Sequence, residues 1–358
     1  MKIVLTGGGT AGHVTPNIAL IPHLKKHFNE IYYIGSENGI ENNLIKDIKG
    51  IKFYSITTVK FIRGFTLKNL LIPFKLIKGI NDAKKILKTI KPTVIFSKGG
   101  FVAVPVVIAA KQLKIPIIAH ESDSTMGLAN KIIYKYCNKM CFSFNNINNK
   151  YKKKGLHTGS PIRDELFSPR KNNPYNNPEF NKTHKTILVT GGSLGASAIN
   201  NVIFNNIGEL TKEFNILHIV GKNNLNKQLI NKYKNYKQIE YCKDMQNAFD
   251  IADIVISRAG SNTIFELLAL KKLFILVPLP KGNSRGDQID NANIFKSLGY
   301  CEVINQEEFN VNNLKNTLLK MIKNKNAYML KMKTENSKNT NEEITNIIIM
   351  EAKKNIQH

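Results

Sequence analysis

Short apolar runs recur along the whole chain and alternate with stretches of helical period, the pattern of parallel sheets joined by crossover helices. In the first half the runs fall near 2–6, 31–35, 52–56, 93–97, 115–119 and 139–143, and in the second near 186–190, 215–220, 238–241, 253–257, 273–278 and 301–304. Between the halves, Pro169 to Lys185 is polar and holds Pro169, Pro174 and Pro178, so an interdomain linker or long loop is expected near 168–185. From about residue 310 the chain reads as Lys/Asn-rich helix, ending in an amphipathic stretch around Ile344–Met350.

A length of 358 residues exceeds one typical domain, and two domains of roughly 150 to 200 residues are expected. The boundaries read as 1–163 and 164–340. Cys137, Cys141, Cys242 and Cys301 lack metal-ligand spacing, so reduced thiols and no metal are expected. An apolar strand starting at residue 3 leaves no room for a signal peptide, and no apolar run approaches the ~20 residues of a membrane-spanning helix. The net charge of +26 favours polyanions: nucleic acid, anionic headgroups or a phosphate-rich substrate. A compositional bias towards Lys, Asn and Ile accounts for it equally well.

Two glycine-rich turns follow predicted strands. Gly7-Gly8-Gly9-Thr10-Ala11-Gly12 fits G-x-G-x-x-G, a pattern that lets backbone amides approach a phosphate. A dinucleotide site also needs an acid ending the second strand, and Glu37 is displaced from that position. The second turn, Gly191-Gly192-Ser193-Leu194-Gly195, adds a hydroxyl; Ser193 either binds phosphate or caps the following helix. In Ser257–Glu266 a strand end and small-residue turn lead into a helix whose first turn is expected to carry Glu266, which either accepts ribose hydroxyls or closes a capping box with Thr263. Gln288 and Asn291 lie three apart on one face of a starting helix and suit sugar hydroxyls, or are ordinary solvated amides.

Taken in order, these pieces resemble the MurG family of UDP-GlcNAc-dependent cell-wall transferases. The matching stretches are Gly7–His13, Lys98-Gly-Gly-Phe-Val, His120–Asn130, Gly159-Ser-Pro-Ile-Arg163, Gly191–Gly195, Ser257–Glu266 and Asp287–Asn291, spanning nearly the whole chain. The resemblance implies an α/β, GT-B architecture: two Rossmann-like domains with parallel sheets facing across a cleft, and a final helix, about 341–358, packing back on the first domain. It implies UDP-GlcNAc as donor and undecaprenyl-pyrophosphoryl-MurNAc-pentapeptide as acceptor, in peptidoglycan synthesis, with no cofactor. Carried over by position, Ser193 and Arg163 hold the phosphates and Glu266 the ribose. The backbone around Cys242 takes the uracil edge, Ser261, Asn262 and Thr263 line the nucleoside diphosphate, and Gln288 and Asn291 contact the sugar. Thr10, Ala11 and Gly12 lie near the donor sugar and the acceptor diphosphate. Where many members carry His-Glu-Gln-Asn, this chain has His120-Glu121-Ser122-Asp123, which puts the Asp123 contact with the sugar in doubt.

The implied reaction is displacement at the anomeric carbon by the acceptor's 4-hydroxyl, with inversion, and it needs a base and charge stabilisation. His13, expected at a helix N-terminus that keeps its ring neutral, and His120 with Glu121 are rival bases. Arg163, Ser193 and helix N-termini supply charge, and no Asp-x-Asp follows a strand, so metal-independent chemistry is expected.

An acceptor whose tail stays in a bilayer needs a peripheral surface. At about 100° per residue, Leu76, Ile80, Ala83 and Leu87 share a core face, while Leu70, Phe74 and Ile77 form a second stripe ringed by Lys68, Lys75 and Lys78. Such a stripe suits the cytoplasmic face of an anionic membrane; a helix buried on two sides is the other reading. Three rivals remain: another GT-B UDP-sugar transferase acting on a different lipid acceptor, a nicotinamide-dependent oxidoreductase, and a nucleic-acid binder. The last rests on charge alone, with no Trp and no recognisable module, so no nucleic-acid partner is expected.

Overall fold

The computed structural model describes residues 1–59, 72–145, 148–168, 173–192, 195–282, 285–333 and 339–357. The chain divides into two compact units, Met1–Arg163 with Lys338–His358, and Asp164–Ser337. The first runs β1 (Lys2–Thr6), α1 (Thr15–Leu24), β2 (Glu30–Ser36), α2 (Ile40–Ile45), β3 (Ile51–Ile56), α3 (Ile72–Ile90), β4 (Val94–Ser97), α4 (Ala103–Gln112), β5 (Ile117–Glu121), α5 (Leu128–Tyr136), β6 (Lys139–Phe142) and β7 (Gly155–His157). The second runs β8 (Lys185–Thr190), α6 (Ser197–Asn205), α7 (Ile207–Leu210), β9 (Phe214–Ile219), β10 (Tyr236–Ile239), α8 (Met245–Ile251), β11 (Ile254–Ser257), α9 (Ser261–Ala269), β12 (Leu273–Leu276), α10 (Asp287–Ser297), β13 (Glu302–Val303), α11 (Val311–Lys323) and α12 (Lys325–Lys333). The last helix, α13 (Thr340–Ile356), belongs to the first unit.

Both sheets are parallel among the described residues, and the central strands β1, β4, β5, β9, β11 and β12 read as near-continuous apolar runs because both of their faces are covered, while the edge strands β3 and β10 keep exposed or half-buried polar residues. In β1, Ile3 and Leu5 pack beneath α1 and α13, while Val4 points to the opposite layer of α3, α4 and α5. Ile344, Ile348 and Ala352 fix α13 to that first layer, each fully buried. Truncating either isoleucine to Ala carries the ~2–5 kcal/mol penalty of a core cavity. In the second unit, Phe265 of α9, Phe295 of α10 and Tyr300 meet edge to face, with centroids 5.3 and 5.9 Å apart. These contacts lock together the two helices that carry Ser261–Glu266 and Gln288–Asn291.

Strand order is β3-β2-β1-β4-β5-β6-β7 in the first unit and β10-β9-β8-β11-β12-β13 in the second. Each order reverses direction once, between β1 and β4 and between β8 and β11. Parallel sheets open a ligand crevice at that reversal, beyond the carboxyl ends of the strands. Both glycine-rich turns lie there, one after β1 and one after β8.

One expectation changes: the short strand β7 is absent from the apolar runs. The polar stretch after residue 168 has no helix or strand where it is described up to β8, and side chains pin it: Asn181 N donates to the side-chain oxygens of Asn215 and Asn235 at 3.0 and 3.2 Å, and Asn173 Nδ2 donates to Asn247 O at 2.6 Å. Asparagine side chains replace the apolar burial that the segment lacks.

Candidate functional site

In the first unit, the turn after β1 is packed by side chains. Gly7 O accepts the Tyr33 hydroxyl at 2.6 Å. Glu41, on α2 and fully buried, accepts from Gly9 N at 3.2 Å and from Ser36 N at 2.8 Å. A Cβ placed on Gly8 would lie 2.6 Å from that carboxyl group, and one on Gly35 would lie 2.7 Å from its Cγ. These glycines make room for a carboxylate of the chain itself. Phe101 fills the space beside Gly9 in the same way. The phosphate reading of the first turn is corrected accordingly at Gly8 and Gly9, and so is the acidic position sought for a dinucleotide: Glu37 is exposed, and the buried acid is Glu41.

Thr10 and Gly12 are exposed and Ala11 is half-buried, on a single 3-10 turn that ends with His13. The N-cap of α1 is Val14, so His13 precedes the helix rather than opening it. Its Nδ1 lies 2.9 Å from Thr10 Oγ1, and its ring is half-buried.

His120 has a different setting. It is the penultimate residue of β5, is fully buried, and its Nε2 donates to Gly159 O at 3.0 Å. Burial holds its pKa well below the usual histidine value, aided by the nearby charge of Lys98. The ring is neutral and shut off from solvent. Glu121 is buried beside it and accepts from Asp123 N, Gly127 N and Asn130 Nδ2 at 3.0, 3.1 and 2.9 Å, so its carboxylate organises the loop that carries the half-buried Asp123. Burial raises its pKa, with the Asp123 charge acting in the same direction. Gly159 also rests against Thr340, and Asn341 grips the backbone of Ile162 through its N at 3.1 Å and its O at 2.6 Å. The first residues of α13 thereby fix the segment that ends in Arg163.

In the second unit the turns at the reversal face open space. A Cβ on Gly192 or on Gly260 would meet nothing within 4 Å. Gly260 is the N-cap of α9 and supplies no side-chain cap, so the helix presents its amide end at the crevice. Ser261, Asn262 and Thr263 form the first turn of α9. Glu266 lies in the second turn, on the face shared with Asn262 and Thr263, one helical rise of about 5.4 Å along. The capping-box alternative fails because Gly260, not Thr263, is the N-cap. Ser193 lies outside the described residues; the N-cap of α6 is Ala196.

Gln288 and Asn291 are not loosely solvated. Gln288 Oε1 accepts Leu279 N at 3.1 Å, and Asn291, 0 % exposed, directs Nδ2 to Ala259 O at 3.5 Å. Asn291 thus braces the turn before α9. Arg258, not singled out from sequence, spans from that turn to Val277 O at 3.1 Å and Gln306 Oε1 at 2.7 Å. Cys242 is buried beyond β10, with its thiol 3.2 Å from the Tyr175 hydroxyl.

On α3, Leu76, Ile80, Ala83 and Leu87 face the core as the angles predict. Phe74 and Ile77 stay 72 % and 58 % exposed, beside exposed Lys75 and Lys78, so burial on both sides does not occur there. Lys68 and Leu70 lie outside the described residues. Among the described residues no helix is long and apolar enough to cross a membrane, and no cluster of His, Cys, Asp or Glu is arranged to hold a metal ion.

The chain matches the glycosyltransferase family 28 N-terminal domain over residues 3–142 and the glycosyltransferase family 28 C-terminal domain over residues 186–348. A relative from Clostridium botulinum, named UDP-N-acetylglucosamine--N-acetylmuramyl-(pentapeptide) pyrophosphoryl-undecaprenol N-acetylglucosamine transferase, is 50 % identical over 98 % of both chains. One of the same name from Clostridium tetani is 50 % identical over 97 % of both. The crystal structure of Acinetobacter baumannii MurG superposes with a TM-score of 0.75 at 25 % identity, covering 98 % of this chain and 99 % of that one.

The Glu41 arrangement predicts a non-additive pair. Gly8→Ala alone should cost about 1–3 kcal/mol from overpacking, yet almost nothing further in a Glu41→Ala background, where the space is already vacant. Denaturant unfolding of the four proteins measures this, and simple addition of the two penalties would refute the packing account.

Proposed function

The chain belongs to glycosyltransferase family 28, and from that premise we propose that it transfers N-acetylglucosamine from UDP-GlcNAc to the 4-hydroxyl of undecaprenyl-pyrophosphoryl-MurNAc-pentapeptide in peptidoglycan synthesis. The observation that carries the reading is the open crevice at Gly192 and Gly260, with an amide-ended helix beside it, at the strand reversal of the C-terminal unit. A nucleoside diphosphate fits that chemistry.

In this reading the α9 amide end and the hydroxyls of Ser261, Thr263 and Ser193 take the diphosphate, joined by Arg163. Glu266, a turn further on, accepts both ribose hydroxyls. The backbone near Cys242 reads the uracil edge. Gln288 reaches the sugar, and Asn291 acts by fixing the turn on which the donor rests. Charge on the departing UDP is offset by oriented dipoles and a guanidinium, so the step requires no divalent ion.

His13 is the base of this reading. With its Nδ1–H donating to Thr10 Oγ1, Nε2 keeps the lone pair that receives the acceptor proton. The hydroxyl oxygen attacks the anomeric carbon, the bond to UDP breaks, and the configuration inverts. His120, sealed beneath Gly159, supports the loop of Glu121 and Asp123 and takes no proton. Thr10, Ala11 and Gly12 present an exposed backbone edge to the acceptor.

The enzyme works at the cytoplasmic face of the membrane as a peripheral protein. The exposed Phe74 and Ile77 enter the headgroup region, while Lys75 and Lys78 meet anionic lipid.

Incubating the protein with the lipid-linked muramyl acceptor, labelled UDP-GlcNAc or UDP-glucose, and excess chelator tests the central reading. GlcNAc is expected in the lipid product, with UDP-glucose a poor donor; transfer only to a diacylglycerol acceptor, or loss of turnover with chelator, would contradict it. For the membrane surface, Phe74→Ser with Ile77→Ser should weaken binding to anionic vesicles by roughly 100-fold or more, from ~1.5–3 kcal/mol per lost apolar side chain. UDP affinity should not change. Undiminished vesicle binding would remove this surface from the account.

A further inference from the structure

Lys98 follows β4 and lies beneath the first glycine turn, on the β1–β4 side of the strand reversal. Its backbone continues the sheet, with N donating to Thr6 O at 2.8 Å. Its side chain is 1 % exposed. The ammonium has three N–H donors, and its hydrogen-bond partner among the described residues is Ser122 Oγ. Ser122 stands between the two acids Glu121 and Asp123, so this buried cation reaches the β5 loop at the one residue that separates them.

A buried ammonium without an anion is expensive, and so are two neighbouring carboxylates without a cation. Each group answers the cost of the other. Burial lowers the Lys98 pKa to about 8, against the upward pull of Glu121 and Asp123. Glu121 in turn fastens the loop by accepting from Asp123 N at one oxygen and from Gly127 N at the other, bonds that its carboxylate form strengthens. Gly99, next along the chain, sits against Asn130, whose Nδ2 also donates to Glu121. The end of β4 and the loop after β5 are therefore one connected polar assembly.

We propose that Lys98 is a positioning residue for transfer: the buried counter-ion of Glu121 and Asp123, holding the loop that presents Asp123 and making an acid tolerable at that position. This deepens the transferase reading and rests on it. The acid in place of the Asn found in many relatives of this type becomes half of a charge pair whose other half lies on a neighbouring strand.

Lys98→Met should lower kcat by about 10- to 100-fold through misalignment, with UDP affinity, a property of the other unit, unchanged. Adding Asp123→Asn should recover about tenfold of that loss, because the unmatched charge is removed together with its partner. Lys98→Gln keeps a donor for Ser122 without the charge. It should behave like Lys98→Met and be rescued in the same way, and it serves as the test if the Met variant does not fold. Measurement uses initial rates with UDP-GlcNAc and the lipid-linked acceptor, with UDP titration by calorimetry and thermal melting for each variant. Losses that multiply without rescue, or a Gln variant as active as the parent, would overturn the proposal. Wild-type protein that transfers no GlcNAc would instead overturn the underlying function, so the two failures are distinct.

Discussion

A doubly wound parallel sheet leaves a crevice where its strand order reverses, and the side chains that fill or spare that crevice decide what each unit can hold. The two units of this chain resolve the same geometry in opposite ways. After β1 the glycines admit Glu41 and Phe101, and Lys98 closes the layer below. After β8 and β11, a Cβ on Gly192 or Gly260 would meet none of the described residues within 4 Å, and α9 begins without a side-chain cap. The first crevice is filled by side chains of the chain itself; the second keeps open space beside the amide end of α9.

That contrast orders the chemistry. A satisfied turn is rigid, and rigidity suits a residue such as His13, whose ring is oriented by the contact between its Nδ1 and Thr10 Oγ1. An open turn with amides at a helix end suits a leaving diphosphate, because its partial charges are in place before the bond breaks. Behind both lie residues that brace backbone. Asn291 and Arg258 brace the turn before α9, and Thr340 and Asn341 of the last helix fix the segment ending at Arg163. α13 belongs to the first unit through Ile344, Ile348 and Ala352, so its role is partly to tighten that segment.

Much of the architecture was legible because strands buried on both faces leave long apolar runs, and twelve such runs were read where strands occur. β7 was missed because Gly155-Leu-His157 is three residues with a single large apolar side chain. The glycine turns were visible as motifs, but their occupancy was not. Whether a glycine shelters a phosphate or a carboxylate depends on a residue brought in by another element, and Glu41 sits in a short polar helix with no local signature. Lys98 was visible only as the first residue of a matching stretch, with no role, because its burial beside the first glycine turn and the β5 loop depends on the sheet. Glu266 was placed a turn too early, since the Thr-x-x-Glu spacing imitates a cap that Gly260 in fact occupies. His13 and His120 were indistinguishable in sequence, and burial separates them.

Every step of the proposed transfer depends on the open turn of the C-terminal unit holding the nucleotide. Gly260 has an ordinary φ of −70°, and a Cβ there would meet no atom of the described residues within 4 Å, so the branch of Gly260→Leu starts in open space and the melting temperature should stay within a few degrees of the parent. The same side chain would occupy the space assigned to the diphosphate. Calorimetric titration with UDP should then show affinity falling by about 100-fold or more, the scale expected when a bound phosphate loses its helix-end amides. A Gly260→Leu protein that binds UDP as tightly as the parent would contradict the placement of the donor and the mechanism built upon it.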